Sequence, residues 1–311
     1  MGSPKTSRWT EQDIPNLPGR RVIVTGASSG LGAETARALA EHGAMVTLAV
    51  RDHPKGMRIA EGISGDTEVA ILDLSDLSSV RRFADEWSNA HPEGLDLLIN
   101  NAGVMAIPRT NSADGFEMQL ATNHLGHFAL TGLLMPALVA VPNSRVVTVS
   151  SSAHRMVRGI NFDDINSERR YRSWGAYGQS KLANLLFTSE LQRRLSAAGV
   201  STKAMAAHPG YSATNLQHVG PSMRNASLEL RITQALNSVV GQSPSMGALP
   251  TLFAATAPGL PGDSYIGPNG PAETRGYPVP VGRTKAAQDM GAALRLWQVS
   301  EVLTGVTYPL D

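Results

Sequence analysis

The chain has 311 residues, 42% hydrophobic and 17% charged, with 27 basic against 26 acidic side chains and no cysteine. This describes a globular protein with a substantial core, not a disordered one, and the interspersed, balanced charge argues against a nucleic acid or an acidic membrane as partner. Disulfides and thiolate metal sites are excluded. With no apolar run of spanning length and no signal-peptide core, a cytoplasmic protein without a membrane anchor is expected.

Residues 1–20 are polar and punctuated by Pro4, Pro15 and Pro18, and read as a surface arm anchored by Trp9 and Ile14. The stretch RVIVTGASSGLGAETARALA, residues 21–40, then combines a β-branched run, a turn holding Gly26, Gly30 and Gly32, and an Ala-rich helical segment. Strand, turn and helix follow one another. A helix that opens at a glycine-rich turn points unpaired N–H groups and the positive end of its dipole at the turn, so an anion such as a pyrophosphate is the natural occupant. The spacing G-x-x-x-G-x-G is neither the G-x-G-x-x-G fingerprint nor a triphosphate loop. A tight turn between core elements is the alternative.

Met45–Val50 reads as a second buried strand. An enzyme selecting NAD(H) places an acidic residue near the end of this strand, whereas here Val50 is followed by Arg51, with Lys55 and Arg58 close behind. A basic group there attracts a 2′-phosphate, so NADP(H) is favoured over NAD(H), although Asp52 is adjacent. Glu68–Leu72 is a third strand, and Asp73 beyond it either bonds an adenine amino group or caps the helix from about Asp76 to Ala90. Leu95–Ile99 is a fourth strand that runs into Asn100, Asn101, Ala102 and Gly103. Strands alternating with helices at this rhythm specify a doubly wound parallel sheet, which binds ligands beyond the carboxyl ends of its strands.

A long helix is expected from Ser112 to Leu138, with Asn123 set among apolar residues either bonding backbone in the core or serving a site. His124 and His127 read as packed or hydrogen-bonded rather than as metal ligands. Arg145–Val149 is a fifth strand ending in Ser150, Ser151 and Ser152. Tyr177 and Lys181 are four apart and share a helical face, with the ammonium one turn from the phenol. A phenol of ordinary pKa about 10 needs a downward shift of roughly 3 units to exchange protons near neutrality, and such an ammonium would supply part of it. Ser201–Ala206 is a sixth strand before His208, Pro209, Gly210 and Thr214. Residues 215–255, rich in Leu, Ala and Met, are expected to form a lid over the site. Asp263–Ile266 makes a last strand, Gly267–Pro280 a loop, and Thr284–Leu303 a closing amphipathic helix. No repeat or linker divides the chain, so residues 21–311 are expected to be one domain.

Together, T-G-x-x-x-G-x-G at Thr25–Gly32, N-N-A-G at Asn100–Gly103, Asn123, a serine after the fifth strand, Y-x-x-x-K at Tyr177–Lys181 and Pro209–Gly210 resemble the short-chain dehydrogenase/reductase family. LAVRD at Leu48–Asp52, TNHLGHF at Thr122–Phe128 and YGQSKLANLLF are similar to its retinol-dehydrogenase-like branch, which often prefers NADP(H). The resemblance implies a single-domain Rossmann fold, an α/β sheet of about seven parallel strands with helices on both faces. It implies hydride transfer between an alcohol and a carbonyl on a small molecule, and the apolar makeup of residues 215–255 points to a lipophilic one.

By the same resemblance, Tyr177 is the general acid/base, Ser151 bonds the substrate oxygen with Ser150 and Ser152 as competitors, Lys181 bonds the nicotinamide ribose, and Asn123 holds a relay water. Gly26, Ser28, Ser29, Gly30, Leu31 and Gly32 would cradle the phosphates, Arg51 the 2′-phosphate, and Asp73 and Leu74 the adenine. Asn101, Ala102 and Gly103 would line the ribose, with Pro209, Gly210 and Thr214 around the carboxamide. A non-catalytic dinucleotide sensor of the same fold is the rival reading, disfavoured because all four catalytic positions are filled. The charged insertion from Arg155 to Trp174 either extends the substrate pocket or covers the face of the Tyr177 helix used by relatives to dimerise, leaving monomer and homodimer both open.

Overall fold

A computed structural model of the chain describes residues 8–211 and 242–310. The element Arg21–Thr25 (β1) alternates its side chains across the sheet: Val22 and Val24 face one core, Ile23 the other. Glycine-turn chemistry carries β1 into α1 (Gly30–Glu41), and the alternation continues through β2 (Met45–Val50), α2 (His53–Ala60), β3 (Asp66–Ile71), α3 (Leu77–Ala90) and β4 (Leu97–Asn100). After a helical stretch come β5 (Arg145–Val149), helix α7 (Ser173–Ala197) and β6 (Lys203–Ala207), then β7 (Tyr265–Pro268) and β8 (Pro278–Pro280).

These strands form one sheet in the order β3-β2-β1-β4-β5-β6-β7-β8. The first seven are parallel, and β8 runs antiparallel to β7. The chain leaves the centre in one direction to β3 and in the other from β4, so a crevice opens between the carboxyl ends of β1 and β4. The expected doubly wound sheet is therefore present, with one strand more than anticipated. The extra strand lies in Gly267–Pro280, expected as loop: Pro278 and Pro280 lack an N–H, and such a segment is tolerated only at a sheet edge.

Two further expectations are corrected. The helix placed at Ser112–Leu138 begins at Met118, because Asn111 bridges Glu117 and the buried Glu117 carboxylate caps the amides of Gln119 and Leu120. It then passes through a π-helical turn at Ala121–Leu125 before Gly126–Leu133 (α5) and Met135–Val139 (α6), with α4 the single turn Met118–Leu120. Of the expected lid, 215–241 lies outside the described residues, as does Thr214. From Pro244 to Thr256 the chain is a helix, with Ala248, Leu249, Leu252 and Ala254 buried against α1 and the sheet. A helix apolar on all sides belongs inside a protein, not over its mouth.

The closing helix, Met290–Thr304, lies across α7. Trp297 stacks on Phe187 with centroids 5.9 Å apart, and the Arg194 guanidinium sits 4.4 Å above the Trp297 ring. Val157, Ile160, Phe162 and Ile165 of the insertion pack on the cluster of Leu182, Leu185 and Leu186. Part of the outer surface of α7 is thus covered from within the chain. In the arm, Trp9 meets the edge of Phe253 at 5.2 Å, and Ile14 and Leu17 are buried. Among the described residues, no helix is long and apolar enough to cross a membrane.

Candidate active site

At the carboxyl end of β1 the turn is too crowded for side chains. Gly26 has φ +67°, and a Cβ on it would stand 2.9 Å from Ala102; a Cβ on Gly32 would stand 2.4 Å from the Gly26 carbonyl oxygen. The loop Asn100–Gly103 therefore packs directly on the turn. Ser29 caps α1 without a side-chain hydrogen bond, so the amides of the first turn and the positive end of the dipole face outward beside the half-buried Ser28, Gly30 and Leu31. Such a cradle fits a dinucleotide pyrophosphate.

Next to it, Arg51 is exposed at the end of β2. The neighbouring Asp52 carboxylate is turned into the amino end of α2, where it accepts from the Lys55 amide at 3.0 Å. The acidic group that complicated the sequence reading is thus committed to a cap, and Arg51 stands as the charge at that edge. Of the two roles open to Asp73, the helix cap falls to Asp76 instead, and the Asp73 carboxylate accepts from the Ser75 amide and hydroxyl at 2.9 and 2.6 Å. Leu74 packs its side chain in the core beside α5.

Thr25, not among the expected site residues, organises this end of the crevice. Its Oγ1 accepts from the amides of Asn101 and Ala102 at 2.9 and 3.0 Å, while Asn101 Nδ2 donates to the Thr25 carbonyl at 2.8 Å. The hydroxyl lies 2.9 Å from His127 Nε2 and 3.3 Å from the Ile99 carbonyl, either of which can take its proton, and His127 Nδ1 donates to the Asn123 carbonyl at 3.1 Å. Burial pushes the pKa of His127 down to about 3, so the ring is neutral near neutral pH. The threonine of T-G was a usable signal; its partner 102 residues away was not.

The catalytic candidates meet over α7. Tyr177 is 5% exposed and Lys181 3% exposed. The Lys181 Nζ donates to the Val149 carbonyl at 3.0 Å and lies 5.8 Å from the centroid of the Tyr177 ring. Of the three serines, Ser151 is the one that acts on the Tyr177 phenol, pulling its pKa down, while its own Oγ accepts from the Ala153 amide at 3.2 Å. Ser150 is buried and donates to the Lys181 carbonyl at 2.8 Å, while Ser152 is exposed. Burial pushes the Tyr177 phenol up to about 12, with Ser151 pulling against it. Burial alone brings Lys181 down to about 8.

Asn123 sits in the π-helical turn, fully buried. Its Oδ1 accepts from the Val104 amide at 2.8 Å, and its Nδ2 donates to the Val104 carbonyl and to Ser180 Oγ, both at 2.9 Å. The carboxamide therefore clamps the loop after Gly103 to α7. Gly103 lies between the two: a Cβ there would be 3.0 Å from Asn123 Oδ1 and 3.5 Å from Lys181 Nζ. Past β6, the Pro209 carbonyl accepts from Gln242 Nε2 at 2.5 Å, and Gly210 packs against Thr274 and Pro268. Trp174 stands edge-on to Tyr177, with centroids 6.0 Å apart.

The model of the short chain dehydrogenase family matches residues 20–224. The chain belongs to the short-chain dehydrogenase/reductase family, whose members bind NAD(P) and carry out oxidation and reduction. It lies in the retinol-dehydrogenase-like branch: human retinol dehydrogenase 13 is 40% identical over 304 residues, covering 94% of this chain and 87% of that protein. A crystal structure of an uncharacterised protein from Mycobacterium paratuberculosis is 50% identical, with a TM-score of 0.81 over 97% of this chain and 100% of the other. A candidate NAD(P)-dependent gluconate 5-dehydrogenase from Beutenbergia cavernae, with NADP bound at low occupancy, is 27% identical with a TM-score of 0.59, covering 78% of this chain and 91% of that one.

Proposed function

We propose that the chain is an NADP(H)-dependent oxidoreductase interconverting an alcohol and a carbonyl on a lipophilic small molecule, with Tyr177 as general acid/base. The observation that carries this reading is the buried Tyr177 ring with the Lys181 ammonium 5.8 Å from its centroid, in a chain whose glycine turn after β1 is shaped for a pyrophosphate. Gly26, Ser28, Ser29, Gly30, Leu31 and Gly32 would hold the phosphates, Arg51 the 2′-phosphate, Asp73 with the Leu74 backbone the adenine, Asn101, Ala102, Gly103 and Lys181 the riboses, and Pro209, Gly210 and Thr214 the carboxamide. When bound, the cofactor supplies or accepts the hydride.

In the reducing direction Tyr177 donates its proton to the carbonyl oxygen while the Ser151 hydroxyl donates a hydrogen bond to the same atom. In the oxidising direction the phenolate oxygen takes the alcohol proton back. Lys181 stabilises that phenolate and, with Asn123 nearby, returns its proton. A phenol held at about 12 keeps its proton at neutral pH, which suits the donor role in reduction.

Support for a lipophilic substrate comes from Trp174 and Met156, 41% and 61% exposed on the two segments that adjoin Tyr177 and Ser151. Retinaldehyde, suggested by the name of the human relative, is the first carbonyl to test. The covered outer face of α7 favours a monomer over a homodimer built on that face. The test is NADPH and NADH oxidation by the purified chain against a panel of lipophilic aldehydes and ketones. Turnover with NADPH is expected; tight NADPH binding without turnover on any of them would favour the sensor instead.

A further inference from the structure

One carboxylate at the tip of the β7–β8 hairpin ties together the two loops that flank the reacting end of the crevice. Glu273 accepts from Arg155 Nη2 through both oxygens, at 2.8 and 2.9 Å, and its Oε2 lies 3.0 Å from His208 Nε2. Arg155 belongs to the short helical turn capped by Ser151, and His208 immediately precedes Pro209 and Gly210. The Gly210 amide donates to His208 Nδ1 at 3.3 Å. Nδ1 is therefore the acceptor, and the fully buried ring is a neutral imidazole that donates Nε2–H to Glu273. A chain of directed bonds thus runs from the Gly210 backbone through His208 and Glu273 to the Ser151 turn.

The hairpin is fixed against the same loop elsewhere. The Tyr211 amide donates to the Thr274 carbonyl at 2.7 Å, and Gln242 links the Gly276 amide to the Pro209 carbonyl at 3.3 and 2.5 Å. Ala272 and Glu273 have φ of 49° and 56°, two consecutive non-glycine residues in the left-handed region. Such a conformation persists only where surrounding contacts over-determine it, and strain of this kind gathers at functional sites. No short stretch of sequence shows this arrangement: its three charged or titratable groups lie at 155, 208 and 273.

We infer that Glu273 is a positioning residue for the nicotinamide end of the cofactor. Through His208 it sets the Pro209–Gly210 backbone, and through Arg155 it sets the turn that carries Ser151. The inference rests on the cofactor reading above. It separates the two ends of the cofactor, because the phosphate turn and Arg51 belong to β1 and β2, on the other side of the sheet from the hairpin.

The experiment compares the purified wild-type chain with Glu273→Ala and Glu273→Gln. Affinities for NADPH and for adenosine 2′,5′-bisphosphate, which contains only the adenine end, are measured by calorimetry, with kcat and KM for the best carbonyl of the panel. Glu273→Ala should weaken NADPH on the order of tenfold, through lost charge-assisted bonds, while the bisphosphate stays within about twofold, since no adenine-end contact is touched. Glu273→Gln, which keeps an acceptor, should fall between and carries the test if the alanine variant fails to fold. A merely structural role would lower both affinities together or neither. An unchanged ratio of the two affinities in the folded variants would overturn the inference while leaving the cofactor reading in place. Wild-type protein that binds neither ligand would overturn both.

Discussion

Acidification should destabilise the fold through His127, and the size of the effect follows from its surroundings. The ring is buried beneath the Asn100–Gly103 loop, meets the Thr25 hydroxyl and donates to the Asn123 carbonyl. Burial first, then the nearby Lys181 and His124, hold its pKa at about 3 against 6.5 for an exposed histidine. The unfolded chain therefore binds a proton here that the folded chain refuses, and stability is full above pH 6.5 and falls as the pH drops toward about 3.

Because the unfolded ring is already half protonated at pH 6.5, the step from 6.5 to about 4.5 costs about 2.3 kcal/mol from this group alone, slightly less than the full slope of about 1.36 kcal/mol per pH unit. Urea unfolding at both pH values, in the wild type and in His127→Gln, isolates it. The glutamine can still accept from Thr25 but does not titrate, and groups common to both proteins, including His124, largely cancel. The variant should lose about 2 to 3 kcal/mol less than the wild type over this interval. Equal losses in the two proteins would show that His127 is not a neutral, buried support of the crevice.

Further expectations concern the crevice itself. Arg51→Asp should weaken NADPH on the order of a hundredfold by replacing attraction to a 2′-phosphate with repulsion, with NADH held within a few fold; an unchanged NADPH to NADH ratio contradicts the assignment. Gly32→Ala places a methyl carbon 2.4 Å from the Gly26 carbonyl oxygen, and the displaced turn should cost roughly a hundredfold in kcat/KM with either cofactor. Unaltered kinetics would show that the turn does not hold the pyrophosphate. For carbonyl reduction, kcat/KM should be level near neutrality and fall as the pH rises through about 8, where Lys181 loses its proton while Tyr177, at about 12, retains its own. A rise through that interval would point to a different proton donor.

Much of this was legible in the sequence because the decisive signals are local. Buried parallel strands read as apolar runs such as MVTLAV, and their helices follow at short range, so the sheet and its carboxyl-end crevice could be inferred before any coordinate. Tyr177 and Lys181 share a face by helical periodicity alone. What escaped lies in contacts between distant segments. Thr25 and His127 find each other only once β1 and α5 pack, and Arg155, His208 and Glu273 only once the hairpin folds back. Pro278–Pro280 hides its strand because proline reads as a breaker, although an edge position tolerates it. The core helix Pro244–Thr256 is not legible as such because apolar residues all round a helix look the same in sequence whether they meet the core or a ligand.

The most direct test of the central claim is hydride transfer from NADPH to a lipophilic aldehyde by wild type and by Tyr177→Phe, with NADPH affinity measured alongside. The wild type should turn over, and the variant should lose roughly a hundredfold to ten-thousandfold in kcat, the usual contribution of a positioned proton donor, while binding NADPH within a few fold. Turnover preserved in the variant would contradict the assignment of the proton to this phenol.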